Sequence, residues 1–529
     1  MPSALYLAAS PAAFRDTLDA ARAHGEVMVE ETPGGARLTG PGAAFDLELV
    51  TDAAQAVART QESYYALTLI DARPIGVDPD RAELLVAGFL DGQRAERDRE
   101  RQFRRDRVIA LAGGDDDRVE RFLFAVGQRR IGGVVRDRVR NGDAGAGFFA
   151  ELWGRCRQAR APQQGRKALC AAGGGVTGVY YELGVLKCLD DAFGNFSVHD
   201  FDLFFGISAG AIVASLVANR IPIEELLQKV DPDVRGGFDL DVRLRHLTVT
   251  DLPRRMITTL DHLRRYGGRV AAGEEPLSLT AALSQLAALI GPFFRASDKE
   301  RQLSEILAEP GRSNDFRQLP RRLYIGATDQ DSREHVLFGA APFQHVPISR
   351  AVQASAAIHP FMAPVEIDGR YYTDGFVTRT TNIAAAVELG ADLIFIIDPF
   401  LPLISEAPGF NAEHSVFWVL IQDYKTVAYT RYEKVSNTLL DTNPGIACYS
   451  FLPSNRMRRL MASNPIATAN YDAIVTQAYA STYRRLLRME YKLGPELAEH
   501  GIQLDLAPVA RRVRAIDASP APAAQLLWA

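Results

Sequence analysis

Cysteine is scarce: Cys156, Cys170, Cys188 and Cys448 are the only thiols in 529 residues. They are too few and too scattered for a disulfide framework or a zinc knuckle, and they suit a reducing interior. Neither charge sign prevails. The 60 Lys+Arg and 65 Asp+Glu leave a net charge of −5, which gives no electrostatic case for nucleic acid as a partner. Met1–Phe14 has no basic residue and carries Pro2 and Pro11, unlike a signal peptide. Long hydrophobic runs are missing as well. The longest uncharged stretch, Pro276–Phe294, holds Ser278, Thr280, Ser284, Gln285 and Pro292, too polar for a membrane span of about 20 residues. It reads instead as an amphipathic helix with Leu279, Leu283, Leu286 and Ile290 on one face and Phe293 and Phe294 beyond it. That face either packs on the protein or meets lipid.

Ordinary cores are within reach: 47% of residues are hydrophobic and 24% charged, and the length suits two to four domains. Residues 1–163 alternate short apolar runs (Ala4–Ala9, Ala66–Ile70, Val108–Ala112, Ile131–Val135) with helix-favouring stretches, which predicts an N-terminal α/β domain with a parallel sheet. Asp71 at a strand end invites comparison with a phosphoacceptor. Such a site needs neighbouring carboxylates for Mg²⁺, and the first strand ends in Leu7-Ala8-Ala9-Ser10 instead. The arginine-rich stretch Arg94–Arg107 mixes signs and reads as a solvated helix face. Arg160–Gly165 is loop-like and opens a second region, 164–402. Residues 403–529 read as mostly helical with a disordered Ala/Pro tail.

The chemistry lies in the second region. Lys167–Ala172 is a short strand, followed by Gly173-Gly174-Gly175 and a helix from about Val179. Glycines between strand and helix let backbone N–H groups approach a negative atom at the positive helix end. Gly173, Gly175 and Gly178 also satisfy the dinucleotide fingerprint, with Asp200 and Asp202 as ribose-binding candidates. The next motif decides between the two uses. After the apolar run Phe201–Phe205 comes Gly206-Ile207-Ser208-Ala209-Gly210, then a helical run. G-x-S-x-G between strand and helix is a nucleophile elbow, in which Gly206 and Gly210 permit the sharp turn that projects Ser208. In a βαβ unit both turns emerge at one sheet edge.

A serine hydroxyl needs a base. The late histidines, His414 and His500, sit in surface-like settings. Asp374 is better placed: Val365–Ile367 and Arg370–Asp374 flank the tight-turn pair Asp368-Gly369, and Asp374-Gly375 precedes a helical run, Thr381–Leu389. An Asp there can cap the following helix or serve as base.

Taken together, Gly173–Leu189, Gly206–Gly210 and Ala351–Gly375 resemble the patatin-like phospholipases, over roughly Lys167–Phe400. The resemblance implies a patatin-like three-layer α/β sandwich with a central, mostly parallel sheet. It implies a lipid acyl hydrolase with Ser208 as nucleophile, Asp374 as base, and the N–H groups of Gly173, Gly174 and Gly175 as oxyanion hole. No cofactor or metal is implied. The substrate would be a lipid acyl ester, met by transient contact with a membrane or lipid surface from a cytoplasmic location. A transacylase or a general esterase would use the same residues, and a non-enzymatic scaffold acting through the N-terminal domain is the remaining alternative. Nothing in the sequence marks an oligomeric state. Two positions depart from the family pattern: Thr177 stands where a basic residue is common, and Phe376 where Gly or Ala usually follows Asp-Gly.

Overall fold

The computed structural model describes residues 3–73, 79–95, 104–113, 117–137, 146–158, 165–234, 238, 252–278, 281, 297–462 and 470–527. The amphipathic run Leu279, Leu283, Leu286, Ile290, Phe293 and Phe294, and the loop Arg160–Gln164, lie outside them.

The first part of the chain supplies seven strands, β1 (Ser3–Ala8), β2 (Met28–Thr32), β3 (Gly35–Gly40), β4 (Ala43–Val50), β5 (Leu67–Asp71), β6 (Val108–Gly113) and β7 (Gly133–Asp137), in the order β2-β3-β4-β1-β5-β6-β7. Strands β4, β1, β5, β6 and β7 run parallel, and β2 and β3 add an antiparallel edge. Tyr6, Phe45 and Leu69 face one helical layer, with Phe14 and Trp153; Leu5, Leu7 and Ile70 face the other, with Phe89 and Phe122. Strands covered on both faces must be apolar throughout, which is why these runs were legible. Asp71 is fully buried at the end of β5 and is held by the Tyr6 hydroxyl at 2.5 Å and Arg73 Nη2 at 2.6 Å. Its carboxylate is paired internally.

The second sheet contains β8 (Arg166–Ala171), β9 (Leu203–Gly206), β10 (Arg322–Asp329), β11 (His335–Phe338), β12 (Val365–Ile367), β13 (Arg370–Asp374), β14 (Ala391–Ile397) and β15 (Ala447–Phe451). Its order is β12-β13-β10-β9-β8-β14-β15, with β11 on β10. Strands β10, β9, β8, β14 and β15 are parallel; β11, β12 and β13 are antiparallel additions. Side chains alternate by strand period: Leu169, Phe204, Phe395 and Ile397 pack one way, and Cys170, Phe205, Ile394 and Ile396 the other. The helix Gly175–Ala192 is buried nearly all round because Tyr471–Glu499 covers the face turned away from the sheet, as expected of a helix without a polar face. The result is a three-layer α/β sandwich. One of its strands, β15, comes from beyond residue 402, so the helical C-terminal region completes the sheet.

Three expectations need correction. The tail is not disordered: Ala523–Leu526 forms a short helix and Leu526 is fully buried. His500 is not a surface residue; it is buried near Asp392. Residues 96–103 lie outside the described residues, but Arg104 and Arg107 beyond them are buried rather than solvated. Arg107 pairs with Glu499 at 2.5 Å, and Tyr64 donates to the same carboxylate at 2.7 Å. Arg105 reaches Asp441 at 2.9 Å. These cations fasten the first sheet to the helices behind the second.

Candidate active site

Strand register brings together positions that are 166 residues apart. On β10, Ile325 lies opposite Gly206 of β9, and Ala327 lies opposite Asp374 of β13. The serine elbow and the Asp-Gly turn therefore leave the same end of the sheet, separated by one strand. Gly375 fits there because any side chain would collide with the Gly326 carbonyl oxygen. The hairpin before it turns through Asp368 (φ 52°) and Gly369 (φ 75°), the positive-φ pair that a tight two-residue turn requires.

Ser208 sits at φ 55°, ψ −118°, a conformation rare for a residue with a side chain and retained only where its surroundings impose it. Those surroundings are specific. The Ile207 and Gly210 N–H groups donate to Ala171 and Ala172 carbonyls at 3.1 and 2.9 Å. The Ser208 N–H donates to Ser355 Oγ at 2.9 Å, and the Ser355 hydroxyl donates to the Gly326 carbonyl at 2.6 Å. A side chain at Gly206 would lie 2.5 Å from Ala211 Cα, and one at Gly210 would lie 2.5 Å from the Ala172 carbonyl oxygen. The two elbow glycines are thus fixed by backbone proximity.

The glycine turn faces this elbow. A side chain on Gly173 would meet Ser208 Cβ at 3.4 Å, and one on Gly174 would meet Pro399 at 2.6 Å. The helix that follows begins at Gly175, and the N–H groups of its first turn have no intrahelical acceptor. Thr177, where the family pattern has a basic residue, is buried.

Asp374 is fully buried. Its Oδ1 accepts the Phe376 N–H at 2.9 Å, whereas Oδ2 accepts no hydrogen bond. Burial pushes this carboxyl up to about 7, against the opposing pull of the Phe376 N–H and the Ser208 hydroxyl. The two side chains are thus near neighbours that stop short of a formed hydrogen bond, as often happens before substrate aligns a site. A carboxyl poised near neutrality beside a serine can accept its proton.

Ser208, Asp374, Gly173, Gly174 and Gly175 all line one cavity of about 380 Å³. Its walls are chiefly apolar, from Val179, Ile212, Ile358, Phe361 and Met362 among others, and suit a hydrocarbon chain. Phe376 lines it too and touches Phe400 and Tyr424, with ring centroids 5.6 and 5.3 Å apart. No histidine is among its described lining residues: His414 stacks on Trp418, and His500 lies elsewhere. Nor does any group of three His, Cys, Asp or Glu among the described residues form a metal cluster. Ser355 and the helix Val416–Thr442, which contributes Trp418, Gln422 and Lys425 to the cavity wall, were not anticipated. Ser355 falls inside the Ala351–Gly375 block, so its neighbourhood was flagged though its role was not. No signal in the sequence singled out Lys425.

Residues 169–387 match the family described as patatin-like phospholipase. No curated protein matches the chain. Among solved structures, VipD from Legionella pneumophila is similar at 16% identity, over 67% of this chain and 75% of its own, with a TM-score of 0.24. The type III effector protein ExoU is similar at 14% identity, over 68% and 64%, with a TM-score of 0.24. The matched segment contains the glycine turn, the serine elbow and the Asp-Gly turn, and residues 169–387 are a domain of the patatin-like phospholipase family.

Proposed function

We propose that this chain is a serine acyl hydrolase that cleaves fatty-acyl esters of lipids. The observation that carries the reading is a single apolar cavity in which a strained serine, a buried carboxyl with an unbonded oxygen and a glycine turn converge. Asp374 accepts the Ser208 proton as Oγ attacks the ester carbonyl, and charge builds on the carbonyl oxygen. The Gly173–Gly175 N–H groups stabilise that charge; one such donor typically contributes about 10²–10³ in rate. Collapse expels the alcohol, which takes the proton back from Asp374, and leaves the acyl chain on Ser208. Water then attacks the acyl-enzyme, with Asp374 again as base, and releases the fatty acid. Ser355 holds the elbow by accepting the Ser208 N–H, and that N–H is therefore not available to the oxyanion.

Contact with a lipid surface is part of the reading. Val416, Phe417 and Val377 are exposed beside the cavity, and no helix among the described residues is long and apolar enough to cross a membrane. Apolar side chains at a cavity rim favour shallow insertion into an interface. Val416→Asp should weaken co-sedimentation with phosphatidylcholine vesicles while a soluble short-chain ester is still cleaved. Unchanged sedimentation would remove this rim from the account.

Ser208→Ala and Asp374→Asn should each lower ester hydrolysis by at least about 10³-fold, and fluorophosphonate labelling should be lost in Ser208→Ala. If Asp374→Asn turned over near the wild-type rate, another base would be at work.

The pH dependence follows from the same carboxyl. Asp374 must be ionised to act, so kcat/KM should rise with pH through about 7. Its stability effect has the opposite sign. Between the unfolded carboxyl value and about 7 the folded state binds the proton more tightly, so stability falls as pH rises through that window. Asp374→Asn should therefore unfold at a clearly higher temperature than wild type at pH 8, with a smaller advantage at pH 5 and almost none below the unfolded carboxyl value. An equal shift at both pH values would contradict the assigned titration.

A further inference from the structure

The helix Val416–Thr442 puts Trp418, Gln422 and Lys425 on one face, against the cavity. Such spacing, three to four residues apart, keeps side chains in line along a helix. Lys425 is 6% exposed, and among the described residues it makes neither a hydrogen bond nor a salt bridge. Its ammonium lies 5.7 Å from the Phe400 ring centroid, a modest stabilisation for a cation removed from water. Burial, with a smaller contribution from Arg458 and partly offset by Asp398, lowers its pKa to about 8. An unpaired buried lysine is costly and uncommon, and an apolar residue would fill the same space. Gln422 adds a second donor: its Oε1 accepts the Leu403 N–H at 2.9 Å, and its NH₂ group has no acceptor among the described residues. Both donors reach the cavity that holds Ser208. Through Phe400 and Phe376 the lysine is also packed against the turn that carries Asp374.

A cavity that offers unmatched donors to its occupant suits an occupant that brings an anion. We propose that Lys425, with Gln422, binds the phosphate of a phospholipid whose acyl ester lies at Ser208, and so selects phospholipids over neutral glycerides. This rests on the acyl-hydrolase reading and specifies its substrate class. In a glycerophospholipid the phosphate stands only a few bonds from the ester, so one cavity can hold both. A charge-assisted contact formed in a desolvated site discriminates strongly against a ligand that lacks the anion.

The test uses the full chain and two substrates with the same acyl chains in neutral detergent micelles: phosphatidylcholine, which carries a phosphate without net charge, and diacylglycerol. Wild type should favour phosphatidylcholine in kcat/KM. Lys425→Met should reduce that preference about 10–100-fold, mostly through KM, and Lys425→Arg should keep most of it. Lys425→Gln is a second neutral variant to be read in the same way. A preference unchanged in the neutral variants, with any loss shared by both lipids, would make the lysine structural and overturn the proposal. Inhibition of diacylglycerol cleavage by inorganic phosphate, with both lipids cleaved alike, would assign the cation to free phosphate and overturn it too. The two readings fail differently. A wild-type protein that cleaves neither ester and takes no fluorophosphonate label refutes the hydrolase, whereas equal cleavage of both lipids refutes only the phosphate site.

Discussion

Strand β10 is the constraint on which the site depends. By pairing in parallel with β9 and antiparallel with β13, it sets Gly206 and Asp374 two positions apart along one strand. A register slip of one residue would turn every side chain to the opposite face of the sheet and carry the carboxyl away from the serine. The alternating core on both faces opposes such a slip, because Leu169 and Phe204 fit only one helical layer and Cys170 and Phe205 only the other. The packing of the sheet and the geometry of the proposed reaction are therefore one requirement.

Inside that frame the local strains have identifiable supports. Ser208 keeps a positive φ because the N–H groups of Ile207, Ser208 and Gly210 are all bound, two to the strand beside the glycine turn and one to Ser355. Asp374 keeps an unbonded oxygen in a buried place because its backbone is tied to Ala357 and its Oδ1 to Phe376. Each device costs stability locally and holds a reactive group in a state it would not keep in water. Lys425 is the third such group in the same cavity, and this concentration of unmatched polarity distinguishes the cavity from ordinary core.

What could be read from the sequence follows from how local each signal is. The glycine turn, the elbow and the Asp368-Gly369 hairpin are encoded within a few residues, and each was legible with its context of strand and helix. The parallel strands of the first sheet were legible because burial on both faces makes them continuously apolar. Features made by distant pairing were not. Strand β15 looked like part of a helical region because only its neighbour β14, about fifty residues earlier, makes it a strand of this sheet. The tail looked disordered because its Ala/Pro composition hides the one residue, Leu526, that anchors it. Arg107 looked solvated because its partner, Glu499, lies nearly four hundred residues away. Lys425 resembles any helix-surface lysine until the cavity around it is known.

The central claim is that acyl transfer passes through Ser208. Mass spectrometry of the intact protein, acid-quenched during turnover of a long-chain lipid ester, tests this most directly. The account predicts a species heavier by one acyl group, mapped to the peptide containing Ser208 and absent from Ser208→Ala. Continued turnover with the acyl group on another residue, or with no covalent species in a variant engineered to slow deacylation, would contradict it.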